Sequence, residues 1–295
     1  MNLAFSPVSL EYRDKYYSLW LKTPQNSLDY TLANIWGWQA YFGLEWAFDG
    51  ELCWVRQKRP VAAMWAPFGD WKAVEWQDIF AGAGPECRRF IRVPEKLLGI
   101  WKEKLPGRVT AEEDRGQWEY LYNQQELATL PGKRFHKKKN HYNAYVKTYG
   151  EPDYHELNDD IVEDVLALQD DWCQWHECGD SPSLTAENEA INRVLSHWES
   201  FRDLYGGALY IDGRIAAFSI GEKLDDEMLG VHYEKGLNGY NGIYQAINRE
   251  FSACAGKGFS LVNRAQDLDE DGLRQAKTSY QPVGFLKKYK VSIND

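Results

Sequence analysis

Two apolar runs, GALYI and RIAAFSIG, flank the dipeptide Asp212-Gly213. Asp-Gly supplies the two positive φ angles that a tight hairpin turn needs, so this stretch is committed to a pair of antiparallel strands. The residues around it predict a set succession of elements. Asn158-Asp159-Asp160 opens a helix whose apolar positions Ile161, Val165, Leu168 and Trp172 recur near helical spacing. Cys178-Gly179 closes that helix, Asp180-Ser181-Pro182 forms a turn, and residues 185–202 read as a second helix with Thr185 as N-cap. After the hairpin come a strand over 227–234, a loop holding Gly236, Gly239 and Gly242, a helix over 243–255 and a strand over 259–263. A helix over about 268–279 and a final strand complete the chain. The order is β-α-α-β-β-β-loop-α-β-α-β, an α/β (α+β) arrangement.

The first half is less regular. Residues 16–20 and 30–41 read as helical, 51–64 as a hairpin, and 90–93 as a short strand with Pro94 placed for the first turn of a helix. A degenerate copy of the same β/α plan accounts for this half. The aromatic run WGWQAYFGLEWAF, with Glu45 and Trp46, suits core packing or a cavity wall.

Charge is divided unevenly. The 295 residues carry a formal net charge of -10, yet residues 131–150 hold six Lys or Arg and no acid. Residues 151–200 then hold fourteen acids and one base, Arg193. Over 135–149 the aromatic residues Phe135, Tyr142 and Tyr149 fall on one helical stripe, and Lys133 and Lys137 lie opposite. Arg134, Lys138 and His141 lie between. Such a basic face attracts phosphate, nucleic acid or an anionic lipid surface, although the net charge opposes the last. It also suits a solvated face.

No run of about 18 apolar residues predicts a membrane-crossing helix, and no secretory signal is legible. Five scattered Cys are expected as free thiols of a reducing cytoplasm. Cys173, His176 and Cys178 lack a second pair nearby, so no metal site is expected. There is no Ser-His-Asp order, P-loop or Rossmann fingerprint.

Three stretches carry a family resemblance: LPGKRFHKKKNHYNAY at 130–145, GLNGYNGIYQAINREF at 236–251 and VNRAQDLDEDGLRQAKTSYQPVGFLKKYKV at 262–291. The chain resembles the DUF2156 family, which is related to the C-terminal catalytic domain of bacterial phosphatidylglycerol lysyltransferases. Its second half is similar to the Gcn5-related N-acetyltransferase fold. The resemblance implies two tandem acetyltransferase-like domains, 1–149 and 150–295, each a mixed central sheet flanked by helices. It implies aminoacyl or acyl transfer to a small amine or hydroxyl acceptor, with an aminoacyl-tRNA or an acyl-CoA as donor and tRNA docking on the basic helix. The membrane-embedded half of the lysyltransferases is not in this sequence, so a lipid acceptor is not expected.

The same resemblance places a functional lysine of the Gly-Leu-Arg-x-x-Lys motif at Lys277, with Gln245 where relatives have an acid. Asn263 and Arg264 end a strand, where ligand sites of open sheets lie. Arg264 suits bidentate contact with phosphate or carboxylate. Arg274 and Lys277 share a helix face, and Tyr240 and Tyr280 complete the expected substrate pocket. Lys133, Arg134, Lys137, Lys138 and His141, with Gly239 and Gly242 before a helix N-terminus, are the expected anion-binding groups. His232 or Tyr240 is a candidate base. The alternative is a non-catalytic anion- or nucleotide-binding module on the same fold.

Overall fold

Asp212 and Gly213 take φ of 51° and 74° and turn the chain between two long antiparallel strands, as their identities require. The computed structural model that places them describes residues 3–84 and 87–294. The chain divides into two units. The first comprises Met1–Glu119, Gln266–Glu270 and Leu286–Asp295, the second Tyr120–Ala265 and Asp271–Phe285. The basic segment therefore lies in the second unit and the last strand of the chain in the first.

The first unit carries an eight-stranded mixed sheet. Its strands are β1 (Ser6–Pro7), β2 (Glu45–Asp49), β3 (Leu52–Gln57), β4 (Ala63–Trp65), β5 (Phe68–Gly69), β6 (Arg89–Pro94), β7 (Val109–Glu113) and β15 (Lys288–Ile293), numbered along the chain. The order is β1-β2-β3-β4-β6-β15-β7, with β5 on β3, and β4 runs parallel to β6. Helices α1 (Arg13–Trp20), α2 (Leu32–Phe42), α3 (Trp76–Ala81) and α4 (Glu95–Lys104) accompany it. Trp46, Trp54, Trp65, Trp76 and Trp101 are fully buried and build core, whereas Trp36 and Trp38 of the aromatic run are half-buried. Glu45 is held by Arg56 and Lys58, each at 2.7 Å. Pro94 ends β6 and caps α4 instead of occupying its first turn.

A buried ionic group pins β15. Lys288, 0% exposed, donates to Asp29 and, at 2.6 Å, to Glu119. Arg92 and the amide of Gln266 also donate to Asp29. Ser27 and the backbone N–H of Leu28 donate to Glu119. Burial alone would raise the Asp29 carboxyl, but Arg92 and Lys288 prevail and hold it below its ordinary value.

The second sheet comprises β8 (Glu119–Asn123), β9 (Asp153–Glu156), β10 (Leu204–Ile211), β11 (Arg214–Lys223), β12 (Met228–Gly236), β13 (Leu261–Asn263) and β14 (Gly284–Leu286). These form a seven-stranded sheet in the order β14-β8-β13-β12-β11-β10-β9. Its helices are α5 (Gln124–Thr129), α6 (His136–Tyr149), α7 (Asp159–Trp175), α8 (Pro182–Leu195), α9 (Ile243–Cys254) and α10 (Asp271–Thr278). From β9 to α10 the succession is the one the sequence predicts, but the single final strand expected after it is two strands, β14 in this sheet and β15 in the other. β12 and β13 are parallel but pair only from Met228–Leu261 to Gly230–Asn263, while β12 runs on to Gly236. The register of β12 against β11 shifts in the same region.

Two local expectations are corrected. The helix expected from Thr185 begins at Pro182, because Ser181 caps it by accepting from the Leu184 N–H at 3.4 Å and Pro182 suits the first turn. Cys173 and Cys178 are not free thiols but a disulfide. The chain reverses after α7 through Glu177 at φ 50°, which brings the two Cα atoms to 5.1 Å, within bridging range. Cys53, Cys87 and Cys254 are not in a disulfide.

Candidate functional site

α6 is amphipathic, and its inward stripe includes the half-buried Lys138. Phe135, Lys138, Tyr142, Tyr145 and Tyr149 recur at intervals of three or four and turn inward, whereas Lys133, Lys137, Lys139 and His141 are exposed. Arg134 pairs with Glu126. The basic segment is thus not one uniform outward patch.

Lys138 Nζ lies 4.0 Å from the centroid of the Tyr280 ring, and the Arg264 guanidinium lies 4.7 Å from the same ring. Arg264 Nη2 donates to Oε1 of Glu234 at 2.8 Å. Asn248, from α9, donates to the other oxygen of Glu234 at 3.1 Å. Gln245, one turn earlier on α9, bonds the Tyr280 hydroxyl. The group is enclosed: Asn248 is 1% and Tyr280 5% exposed. Ser219 stands directly across from Glu234 on β11. Ser219 Oγ and Asn248 Oδ1 are buried with no hydrogen-bond partner among the described residues.

Burial, and then the neighbouring Arg264, bring the Lys138 amine down to about 8. Burial pushes the Tyr280 hydroxyl up to about 12 despite Arg264. Burial disfavours the charge on Arg264, but Glu234, Tyr280 and Tyr122 together more than offset it, and the guanidinium is held more firmly protonated than usual.

Lys277 approaches the same group from α10. Its Nζ donates to the backbone carbonyl of Arg264, and its own carbonyl accepts from the Tyr122 hydroxyl at 2.8 Å. The Asn263 side chain turns back to accept from the Ala265 N–H at 3.0 Å, shaping the strand end while Ala265 takes φ 56°. Arg274 is half-buried on α10.

The glycine loop is closed by α6. Gly242 caps α9 at φ 79°, and a Cβ there would come within 2.3 Å of the His141 carbonyl. The Asn241 N–H donates to the Tyr149 hydroxyl at 3.2 Å, and Tyr149 packs on Tyr240 at 5.6 Å between ring centroids. Gly239, at φ 92°, has open space around it. Of the two candidate bases, His232 has a carboxylate partner. Its Nε2 is 3.2 Å from Oε2 of Glu222, and both side chains are 4% exposed. No three metal-ligating side chains converge among the described residues.

The structure brings Lys138, Gln245, Asn263, Arg264, Lys277 and Tyr280 together. It leaves Lys133, Lys137 and His141 at the surface and Tyr240 against Tyr149. Sequence reasoning missed Glu234, Asn248 and Ser219. The signal for Asn248 was present, because a polar residue interrupts the apolar stripe Ile243, Ala246, Ile247 and Phe251.

Two mixed sheets flanked by helices define the class: a mixed α/β protein. The family model described as phosphatidylglycerol lysyltransferase, C-terminal, matches residues 22–292, and the chain belongs to that family. A conserved protein of unknown function from Bacteroides thetaiotaomicron VPI-5482 is 30% identical with a TM-score of 0.88, over 99% of this chain and 100% of that one. An Agrobacterium fabrum structure, named as the C-terminal domain (DUF2156) of a proposed lysylphosphatidylglycerol synthetase, shares the fold at 14% identity. Its TM-score is 0.66, over 97% of this chain and 91% of that one. An uncharacterized protein of Mycoplasmoides gallisepticum is 25% identical over 174 residues, 59% of this chain. The chain spans 56% of that protein's length. No described helix is long and apolar enough to cross a membrane.

Proposed function

We propose that the second unit is an aminoacyl or acyl transferase centre serving a small amine or hydroxyl acceptor, with an aminoacyl-tRNA or acyl-CoA as donor. One observation supports this reading above the others. A buried polar group, Glu234 with Arg264 and Asn248, stands beside the end of the short parallel pairing of β12 and β13, and Lys277 reaches it from α10. Lys277 would stabilise negative charge developing on the acyl carbonyl or leaving group, an effect that in comparable sites is worth about 10²–10³ in kcat. His232, oriented by Glu222, would take the acceptor's proton. Exposed Lys133, Lys137 and Lys139 would meet tRNA phosphates, and such a donor would place the protein in the cytoplasm.

The non-catalytic alternative draws on Gln245, which engages Tyr280 through an amide where relatives carry an acid. The test is product detection by mass spectrometry after incubation with charged tRNAs or acyl-CoAs and a panel of amines and alcohols. Transfer that drops on the order of a hundredfold in Lys277→Ala supports the proposal. Transfer unchanged in that variant removes Lys277 from the chemistry, and absence of product with every donor favours the binding module.

A further inference from the structure

Lys138 differs from its neighbours on α6. Lys137 and Lys139 point to solvent, where a lysine's charge is cheapest to keep, whereas Lys138 packs its ammonium against the face of Tyr280. The same ring carries Arg264. Two like charges thus lie against one buried aromatic ring. The groups facing Lys138 are Arg264, Glu234 and Tyr280. Glu234 is the carboxylate of this group and is already engaged by Arg264 and Asn248. Among the described residues Lys138 has no carboxylate within ion-pair distance. With Lys138 protonated, Lys138, Arg264 and Lys277 set three positive charges against the one carboxylate of Glu234. Positive charge so confined is costly unless a counter-ion completes it. The depression of the Lys138 amine is what the molecule shows in place of one.

We propose that Lys138 and Arg264, both set against the Tyr280 ring, clamp an oxygen anion of the ligand; this rests on reading the second unit as a ligand-binding transferase site. Arg264 Nη2 holds Glu234, but Nη1 is buried with no hydrogen-bond partner among the described residues, so one guanidinium nitrogen is left for an anion's oxygen. The Lys138 ammonium adds a point charge. The anion is supplied either by the carboxylate of a small acceptor or by a phosphodiester of a nucleotide-bearing donor.

The test follows the Lys138 amine and needs no turnover. The folded protein is labelled with trace acetic anhydride across pH 7 to 10, and acetylation of each lysine is read by peptide mass spectrometry. An anion in the clamp favours the ammonium. Raising the amine by one unit from about 8 would slow labelling at pH 8 by about fivefold. N-acetylglycine and dimethyl phosphate are the two probes. Slowing at Lys138 but not at Lys133, Lys137 or Lys139 supports the clamp. Slowing by N-acetylglycine alone assigns it to the acceptor's carboxylate, and by dimethyl phosphate alone to the donor. Arg264→Lys keeps the charge without the Nη1 donor and should weaken the protection, while Tyr280→Phe should retain it. Neither probe slowing Lys138, or equal slowing at the exposed lysines, overturns the proposal. A protein that fails every transfer assay can still pass this test, so the two readings fail separately.

Discussion

Replacing Lys288 by Met keeps the length of the side chain and removes its charge from a fully buried position. Asp29 is left with Arg92 and Gln266, and Glu119 with Ser27 and the Leu28 N–H. Asp29 and Glu119 are 2% and 0% exposed, so water cannot replace the ammonium. Breaking a buried pair from one side costs about 3–5 kcal/mol. The residual partners favour the lower end of that range. For a chain of this size the loss corresponds to a fall in Tm on the order of 10 °C. Urea denaturation and a thermal scan would measure both.

The pH dependence carries a further sign. Asp29 is held below its ordinary 3.8, so its contribution is present above that value and is lost as pH falls through the lowered one. Without Lys288 the carboxyl rises, and acid unfolding of the variant should begin at higher pH. Pairing Lys288→Met with Glu119→Gln neutralises one of the stranded carboxylates, so the double variant should lose less than the sum of the singles. A loss below about 1 kcal/mol for Lys288→Met, or strict additivity in the double variant, would refute this account of the buried group.

Two other changes follow from the same physics. Gly242→Ala places a Cβ 2.3 Å from the His141 carbonyl at φ 79°, so either α6 or the start of α9 must shift. We expect a loss of roughly 2 kcal/mol or more by denaturant titration, and a neutral effect would mean that α6 does not close on this loop. Glu234→Gln removes the one group that raises the Lys138 amine. Lys138 should then titrate below about 8 in a labelling profile, and an unchanged profile would show that Glu234 does not reach it.

Much of the fold was legible because its cues are local. The Asp212-Gly213 hairpin, the Asn158 cap of α7 and the apolar stripes of α7 and α9 each depend on residues a few positions apart. Errors arose where two local signals competed. Thr185 reads as a cap, but Ser181 before Pro182 occupies that place. The site was legible in half. Arg264, Lys277, Gln245 and Tyr280 belong to conspicuous motifs. Glu234 and Ser219 lie in strands that read only as apolar runs, and their roles arise from which strand faces which.

The sequence by itself determined where strands turn and helices begin, because those outcomes depend on φ preferences and caps within one turn of chain. It also placed a dense group of cations at 133–139 in an acidic chain. Only the tertiary structure decided which of those cations points inward and which residues meet. Lys138 joins Arg264 across a Tyr280 ring, and Lys288 finds Asp29 at a separation of 259 residues. Such partners are selected by packing, since a buried charge is tolerated only where the fold brings opposite charge or a polar face to it.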